Sequence, residues 1–313
     1  MNSLGALLEK YGTISLVGMA KNAGKTTTLN YLARCFAKKG IPLALTSIGR
    51  DGEELDVVTA TKKPKIYVPG GSIIATAEGL LGLSDITCEI HNCTDISTPM
   101  GRVVVVRALS GGFVQLGGAP TAGQTLKIVE QFKKFNVGKI LIDGAISRKN
   151  ISNPKLAEAV VLCTGASLAK DMGRVVKKTR HAAEMLMLPR YSEERRANTS
   201  PLASETADVR DKPPVYLCGA VTDASINSLL QSGVEPTSRV FVAEDPSKVL
   251  ISADVYEKLK QRGNELYVKT PVNLAAITVN PVSPKGFEFP KVDFFNKMSN
   301  AVQLPVFDVA VTK

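Results

Sequence analysis

The residues with the clearest potential for chemistry lie in the segment "ISLVGMAKNAGKTTTLNYLARCF", residues 14 to 36. Its centre, Gly24-Lys25-Thr26, is the core of a phosphate-binding loop. A glycine lets backbone N–H groups approach phosphate oxygens, a lysine ammonium reaches the outer phosphates, and a threonine hydroxyl can bind Mg²⁺. The segment therefore predicts a site for ATP or GTP together with Mg²⁺.

The spacing departs from the usual phosphate-loop pattern at one position. The pattern G-x-x-x-x-G-K-[ST] requires a glycine five residues before Gly24, but Met19 occupies that position and the glycine is Gly18. We interpret the segment as a loop lengthened at its start, in which Gly18 makes the first turn. The residues predicted to bind the nucleotide are Gly18, Lys21, Asn22, Ala23, Gly24, Lys25, Thr26 and Thr27.

The flanks of the loop favour a functional site over a chance glycine-lysine-threonine sequence at the start of a helix. Before the loop, Ile14, Leu16 and Val17 have the apolar and β-branched character of a buried parallel strand. After the loop, apolar residues recur at helical spacing; they are Leu29, Leu32, Ala33 and Phe36. The N-terminus of such a helix adds partial positive charge beside the predicted phosphates.

Two aspartates are candidates to act beside the loop. In "KILIDGAISRKN", residues 139 to 150, an apolar run ends at Asp143. An aspartate at the end of a buried strand can hold Mg²⁺ directly or through water, so we predict that Asp143 is catalytic with Lys25 and shares the metal with Thr26. Asp51 follows another predicted strand, where ligands bind in open α/β sheets, and it is either a weaker candidate for the same catalytic role or a turn residue.

Strand and helix patterns alternate along the whole chain. The alternation predicts an α/β fold with a doubly wound, mostly parallel sheet. One of the predicted helices is "SIIATAEGLL", residues 72 to 81. The polar segment 190–214 predicts a linker or mobile loop between a phosphate-loop domain, 1–189, and a C-terminal α/β region, 215–313.

The composition argues against several classes of protein. The 313 residues are 44% hydrophobic but contain no apolar run of about 18 residues, so we expect neither a membrane span nor membrane binding. The net charge of +10 resides mostly in residues 1–150, yet aromatic residues make up only 5% and tryptophan is absent, which argues against nucleic-acid binding. Five scattered cysteines, and a first segment without the pattern of a signal peptide, predict a cytoplasmic protein.

Two further segments have more than one interpretation. Cys88, His91 and Cys93 lie close together in "CEIHNC", but a zinc site normally needs four ligands, so an ordinary strand is favoured over a metal site. The small-residue loop from Gly117 to Gly123 precedes a predicted helix. It is either a second point of anion approach or an ordinary turn.

The loop resembles those of two known families. In dethiobiotin synthetase and its relatives the loop likewise begins with a glycine six residues before the glycine of the G-K-T core, as Gly18 does here. The run from Lys21 to Thr27 is similar to the loop of the small P-loop protein of molybdopterin-guanine-dinucleotide biosynthesis. The resemblance implies a P-loop NTPase fold of the dethiobiotin-synthetase-like type, with a C-terminal α/β extension.

Segments spread over the whole chain resemble the small P-loop subunit of the lysine 5,6-aminomutase reactivase of amino-acid-fermenting bacteria. They are "SLVGMAKNAGKTTTLNYL", "LIDGAISRK", "VLCTGAS" and "TVNPVSPKGFEFP". This resemblance implies a Mg²⁺-dependent NTPase subunit, with ATP favoured over GTP, that works with a larger ATPase partner subunit. Together they would reactivate an adenosylcobalamin-dependent aminomutase by letting it exchange its damaged cofactor.

Other functions stay open at the level of sequence. No D-x-H-x-x-G cobalamin pattern occurs in the chain, so we do not expect the protein to bind the cofactor directly. The main alternative is a nucleotide-dependent ligase or synthetase of the dethiobiotin type acting on a small carboxylate. A third possible function is a module that binds nucleotide without hydrolysing it. The oligomeric state is also open, and a homodimer is possible.

Overall fold

The computed structural model describes residues 3–49, 65–145, 156–192, 213–231 and 239–309. These residues form two compact units. The first contains the described residues up to Arg180 and those from Leu274 onward, and the second runs from His181 to Asn273.

The described part of the chain contains helices in both units. They are α1 (Leu4–Leu8), α2 (Lys25–Lys38), α3 (Glu78–Leu81), α4 (Ala122–Lys133), α5 (Met172–Leu186), α6 (Asp223–Gln231), α7 (Ala253–Gln261) and α8 (Lys291–Ala301), with a short 3₁₀ helix at Pro246–Lys248.

The described strands alternate with these helices along much of the chain. They are β1 (Thr13–Gly18), β2 (Leu43–Ser47), β3 (Ile66–Val68), β4 (Ile73–Ala77), β5 (Cys88–Thr98), β6 (Gly101–Ala108), β7 (Gly112–Val114), β8 (Lys139–Ala145), β9 (Ala159–Gly165), β10 (Val215–Leu217), β11 (Val221–Thr222), β12 (Val240–Ala243), β13 (Val249–Leu250), β14 (Glu265–Val268), β15 (Leu274–Asn280) and β16 (Val306–Asp308).

A nine-stranded sheet forms the centre of the first unit. Its strand order is β16-β15-β9-β1-β8-β2-β4-β6-β5. The strands from β16 to β4 pair in parallel, whereas β6 is antiparallel to both of its neighbours. The predicted α/β fold with a mostly parallel sheet is therefore confirmed. Since β1 pairs in parallel with β8 on one side and β9 on the other, its carboxyl end is flanked by the ends of these two strands.

Helix α2 covers one face of this sheet with the residues that the sequence pattern predicted. Leu29, Leu32, Ala33 and Phe36 are buried in a cluster that also contains Ile14 and Leu16 of β1. The burial of these side chains fixes the helix against the strand that precedes it. The start of α2 is consequently held at the carboxyl end of β1.

The second unit has its own small parallel sheet and its own core. Its three strands lie in the order β10-β12-β14, and β11 pairs in parallel with β13. Helices α6 and α7 contribute Ile226, Leu230, Val255 and Leu259 to a cluster with Phe241 and Leu266 of the sheet.

The predicted helix over residues 72–81 is wrong for most of its length. Ile73–Ala77 form the buried strand β4, which pairs with β2 and β6, and only Glu78–Leu81 form a helix, α3. Short apolar runs are compatible with either structure, and here the pairing with two neighbouring strands decides the outcome.

The division into units also differs from the predicted boundaries. The predicted C-terminal region, 215–313, is divided, because β15 and β16 join the sheet of the first unit. Of the predicted linker 190–214, residues 193–212 lie outside the described residues, while Arg190 forms a bridge with Val268 in the second unit. The alternation of strands and helices does not indicate which sheet a strand joins. The sequence pattern therefore could not predict that β15 and β16 join the sheet of the first unit.

We predict that Phe36→Ala destabilises the first unit by about 3–5 kcal/mol, because the side chain is fully buried and its removal leaves a cavity. The measurement is urea denaturation followed by circular dichroism. The control is Val292→Ala, whose side chain is 71% exposed and whose change should stay within about 0.5 kcal/mol. A loss below about 1 kcal/mol for Phe36→Ala would contradict the assigned packing of α2.

Candidate functional site

The predicted strand, loop and helix are all present around Gly24. β1 ends at Gly18, α2 begins at Lys25, and Gly24 is the N-cap residue with a left-handed φ of 93°. Asn22 also has a positive φ, 62°. Such angles are strained for most residues but accessible to glycine and tolerated by asparagine. The loop therefore turns sharply into α2, whose first N–H groups, as in any helix, have no partner within the helix itself.

Gly18 makes room for the side chain of Lys25. A Cβ atom at Gly18 would lie 2.7 Å from Cδ and 2.8 Å from Cγ of Lys25, closer than real atoms approach. Met19 still donates its backbone N–H to the carbonyl of Cys163 at 2.9 Å, as a continuation of the sheet. The displaced glycine thus has a physical reason, since residue 18 is where the lysine side chain crosses the backbone.

Lys25 and Asp143 form an ion pair at the carboxyl end of the sheet. The Nζ atom of Lys25 lies 3.7 Å from Oδ1 of Asp143, and the two side chains are only 11% and 13% exposed. Asp143 lies opposite Leu16 of β1 and Ser47 of β2, because β8 runs between these two strands. The structure therefore brings together two predicted catalytic residues that are far apart in sequence.

The oxygen atoms at this place suit a magnesium ion. Thr26 follows Lys25 in the first turn of α2, and the carboxylate of Asp143 lies 3.7 Å from the Lys25 ammonium. Mg²⁺ prefers carboxylate and hydroxyl oxygens and completes its shell with water and phosphate oxygens. Among the described residues no group of three or more His, Cys, Asp and Glu side chains could hold a metal by itself.

The remaining predicted loop residues differ in exposure. Lys21, Asn22 and Thr27 are exposed, whereas Ala23 is buried. Lys21 places a positive charge at the exposed edge of the loop, and Ala23 anchors the middle of the loop against the protein. Asp51 lies in 50–64, outside the described residues, so its predicted role stays a prediction.

A buried polar cluster lies under the loop and escaped the sequence analysis. The hydroxyl groups of Thr28 and Thr278 are 3.0 Å apart, and the thiol of Cys163 donates to Thr28 at 3.7 Å. Burial raises the pKa of the Cys163 thiol to about 11, although its bonds to both threonines act in the opposite direction. The thiol is therefore protonated at neutral pH, and we assign it a structural role beneath the loop.

Asn280 was also missed, and it lies against the loop. It is the last residue of β15, and its amide nitrogen donates to the carbonyl of Asn22 at 3.4 Å. The segments "VLCTGAS" and "TVNPVSPKGFEFP" include the ends of β9 and β15. The pairing of β15 with β9, which brings both segments to the loop, could not be seen in either segment alone.

The structure describes contacts in both segments that had two interpretations. Cys88, His91 and Cys93 lie on the strand β5, where the His91 ring packs edge-on against Phe135. In the small-residue loop before α4, Thr121 accepts a hydrogen bond from the N–H of Gln124 and caps the helix with its own side chain. Ordinary turn chemistry accounts for this loop.

No helix in the described part of the chain combines the length and the apolar character needed to cross a membrane. A comparison with models of protein families finds none that matches the chain, and a comparison with curated proteins finds no match either.

We predict that Cys163 resists alkylation in the folded protein. With iodoacetamide at about pH 8.5, near the usual pKa of a cysteine thiol, the exposed Cys93 and Cys218 should be labelled while Cys163 stays unmodified, because it is buried and protonated. Mass spectrometry of the digested protein measures each site. Labelling of Cys163 as fast as that of Cys93 would contradict the assigned packing beneath the loop, and labelling in urea is the positive control.

Proposed function

We propose that this chain is a P-loop NTPase of the dethiobiotin-synthetase-like type that binds ATP, or GTP, with Mg²⁺. The observation that carries the proposal is the arrangement of Lys25 beside Asp143 at the left-handed start of α2. A cation, an acidic group and the N-terminus of a helix at the carboxyl end of a parallel sheet are the groups that a magnesium nucleotide requires.

Each residue of the loop has a separate role in this proposal. Backbone N–H groups of the loop that ends at Gly24 and of the first turn of α2 bind the phosphates, and the ammonium of Lys25 contacts the outermost ones. Thr26 and Asp143 hold Mg²⁺, directly or through water, and Asp51 is a weaker candidate near them. The metal neutralises the charge that develops on the departing phosphoryl group.

Neither histidine provides a second catalytic group in this account. His91 contacts Phe135 and lies 3.4 Å from a carboxylate oxygen of Glu89 on the exposed strand β5. His181 bonds through Nε2 to the carbonyl oxygen of Ile251 in the second unit. Since these contacts are structural, we infer that the chain uses nucleotide to act on another protein and not on a small metabolite.

The partner proposal rests on the resemblance to the aminomutase reactivase. In it, the chain and a larger ATPase partner subunit reactivate an adenosylcobalamin-dependent aminomutase in the cytoplasm. The nucleotide state can do work on a client only if the client binds the two states with different affinity. Low basal hydrolysis, raised by the partner subunit or by inactivated mutase, follows from this proposal.

We predict that substitutions at the two residues of the ion pair impair different properties, ATP affinity for Lys25 and turnover for Asp143. Lys25→Ala should weaken ATP binding at least about tenfold, because it removes charged hydrogen bonds to phosphate. Asp143→Asn should leave ATP affinity closer to that of the wild type but lower turnover by about 10²-fold or more, because metal placement matters most as the phosphoryl group departs. Isothermal titration with Mg²⁺ measures affinity, and phosphate release measures turnover.

The matched control is Lys38→Ala, an exposed lysine at the other end of α2, which should leave both quantities unchanged. Equal turnover in Asp143→Asn would assign Asp143 a structural role only. If the wild type binds neither ATP nor GTP with Mg²⁺, the proposed function is wrong.

A reactivation assay tests the partner proposal. A cobalamin mutase stalled by loss of its adenosyl group is mixed with this chain, the larger ATPase subunit, ATP, Mg²⁺ and fresh adenosylcobalamin. We expect mutase activity to recover, and to recover less with Lys25→Ala than with Lys38→Ala. No recovery, combined with rapid hydrolysis driven by a small carboxylate alone, would favour the ligase of the dethiobiotin type instead.

A further inference from the structure

Two strand ends enclose the phosphate loop on the side away from β8. β9 and β15 pair in parallel, and their last residues, Gly165 and Asn280, are opposite each other. The backbone oxygen of Asn280 accepts a hydrogen bond from the N–H of Ala166 at 2.9 Å. This end of the sheet therefore holds the backbone of Asn280 in place.

The side chain of Asn280 is held in place as well. Its Oδ1 atom accepts from the N–H of Val282 at 3.1 Å, across the intervening Pro281. A proline restricts the residue before it to extended backbone, and an asparagine that bonds two residues ahead forms a compact turn. The orientation of the amide is consequently set before it meets the loop.

The nitrogen of the same amide contacts the part of the loop that has left-handed backbone angles. Its Nδ2 atom donates to the carbonyl of Asn22 at 3.4 Å, and Asn22 has the positive φ of 62°. A Cβ atom at Gly24 would lie 3.0 Å from Cβ of Asn280. Unfavourable backbone angles persist only where neighbouring groups hold them, and Asn280 is such a neighbour.

The fit between the loop and the ends of β9 and β15 is close. A Cβ atom at Gly165 would lie 2.3 Å from the backbone oxygen of Asn280. The cavity between Ala23, Gly24 and Asn280 has a volume of only about 10 Å³, the space of about one water molecule. The loop cannot move toward β15 without displacing Asn280.

We propose that Asn280 is a positioning residue that holds the turn from Asn22 to Gly24 in the shape that presents backbone N–H groups to phosphate. The inference rests on the proposed nucleotide site and deepens it. Asn280 does not act on the reacting atoms; it acts through the loop. The first residues of the segment "TVNPVSPKGFEFP" thereby have a proposed role in positioning the loop.

Two substitutions separate the parts of this role. Asn280→Ala removes both side-chain bonds, whereas Asn280→Asp keeps the acceptor for Val282 but places a carboxylate against the carbonyl of Asn22. The control is Asn92→Ala, which removes an amide bonded to Gln131 elsewhere in the same unit.

The first measurement uses protein without nucleotide. Hydrogen exchange of the peptide covering residues 19–27, and trypsin cleavage after the exposed Lys21, report how firmly the loop is held. Both should increase at least about threefold in Asn280→Ala and Asn280→Asp, as expected when one hydrogen bond of ordinary strength is lost, and stay unchanged in Asn92→Ala. Unchanged protection of the β1 amides shows that each variant is folded.

The second measurement is the affinity for ATP with Mg²⁺. Asn280→Ala should weaken it about three- to tenfold, and Asn280→Asp should weaken it further because its negative charge lies near the phosphates. Unaltered loop exchange in both variants, or wild-type behaviour of Asn280→Asp, would overturn the inference. If the wild type binds no nucleotide, the proposed function fails, while the exchange measurement still decides whether Asn280 holds the loop.

Discussion

The ion pair between Lys25 and Asp143 is the interaction on which the arrangement of the site depends. It joins the first turn of α2 to the end of β8, and the Lys25 side chain reaches it only by crossing Gly18. Both side chains are largely buried, so each charge depends on its neighbourhood for stabilisation. A bound magnesium nucleotide would supply both with new partners, phosphate for the lysine and metal for the aspartate.

The loop itself is shaped by neighbours on three strands. β1 leads into it, the thiol of Cys163 on β9 and the hydroxyl of Thr278 on β15 lie beneath it, and Asn280 holds its side. The left-handed angles at Asn22 and Gly24 are local consequences of sequence, but their persistence depends on these contacts. Under the proposed function, a loop held in this way would need little further ordering to bind phosphate.

The sequence predicted those parts of the site that depend on local patterns. A glycine before a lysine, an apolar strand and a helical stripe specify β1, the loop and α2, and an apolar run ending in aspartate specifies β8 and Asp143. Asn280 could not be found in this way, because it lies 258 positions from Asn22 and meets it only through the order of the strands. The same limit explains why the sequence predicts neither that β15 and β16 join the first unit nor that residues 73–77 form the strand β4, since both depend on which strands pair.

The most direct test is a crystal structure of the chain with Mg²⁺ and a non-hydrolysable analogue of ATP. We predict that the phosphates lie on the loop from Gly18 to Thr27, that Nζ of Lys25 leaves Asp143 and contacts phosphate oxygen, and that Asp143 and Thr26 face the metal. A structure in which the nucleotide lies elsewhere, with the Lys25–Asp143 ion pair intact and the loop empty, would contradict the account.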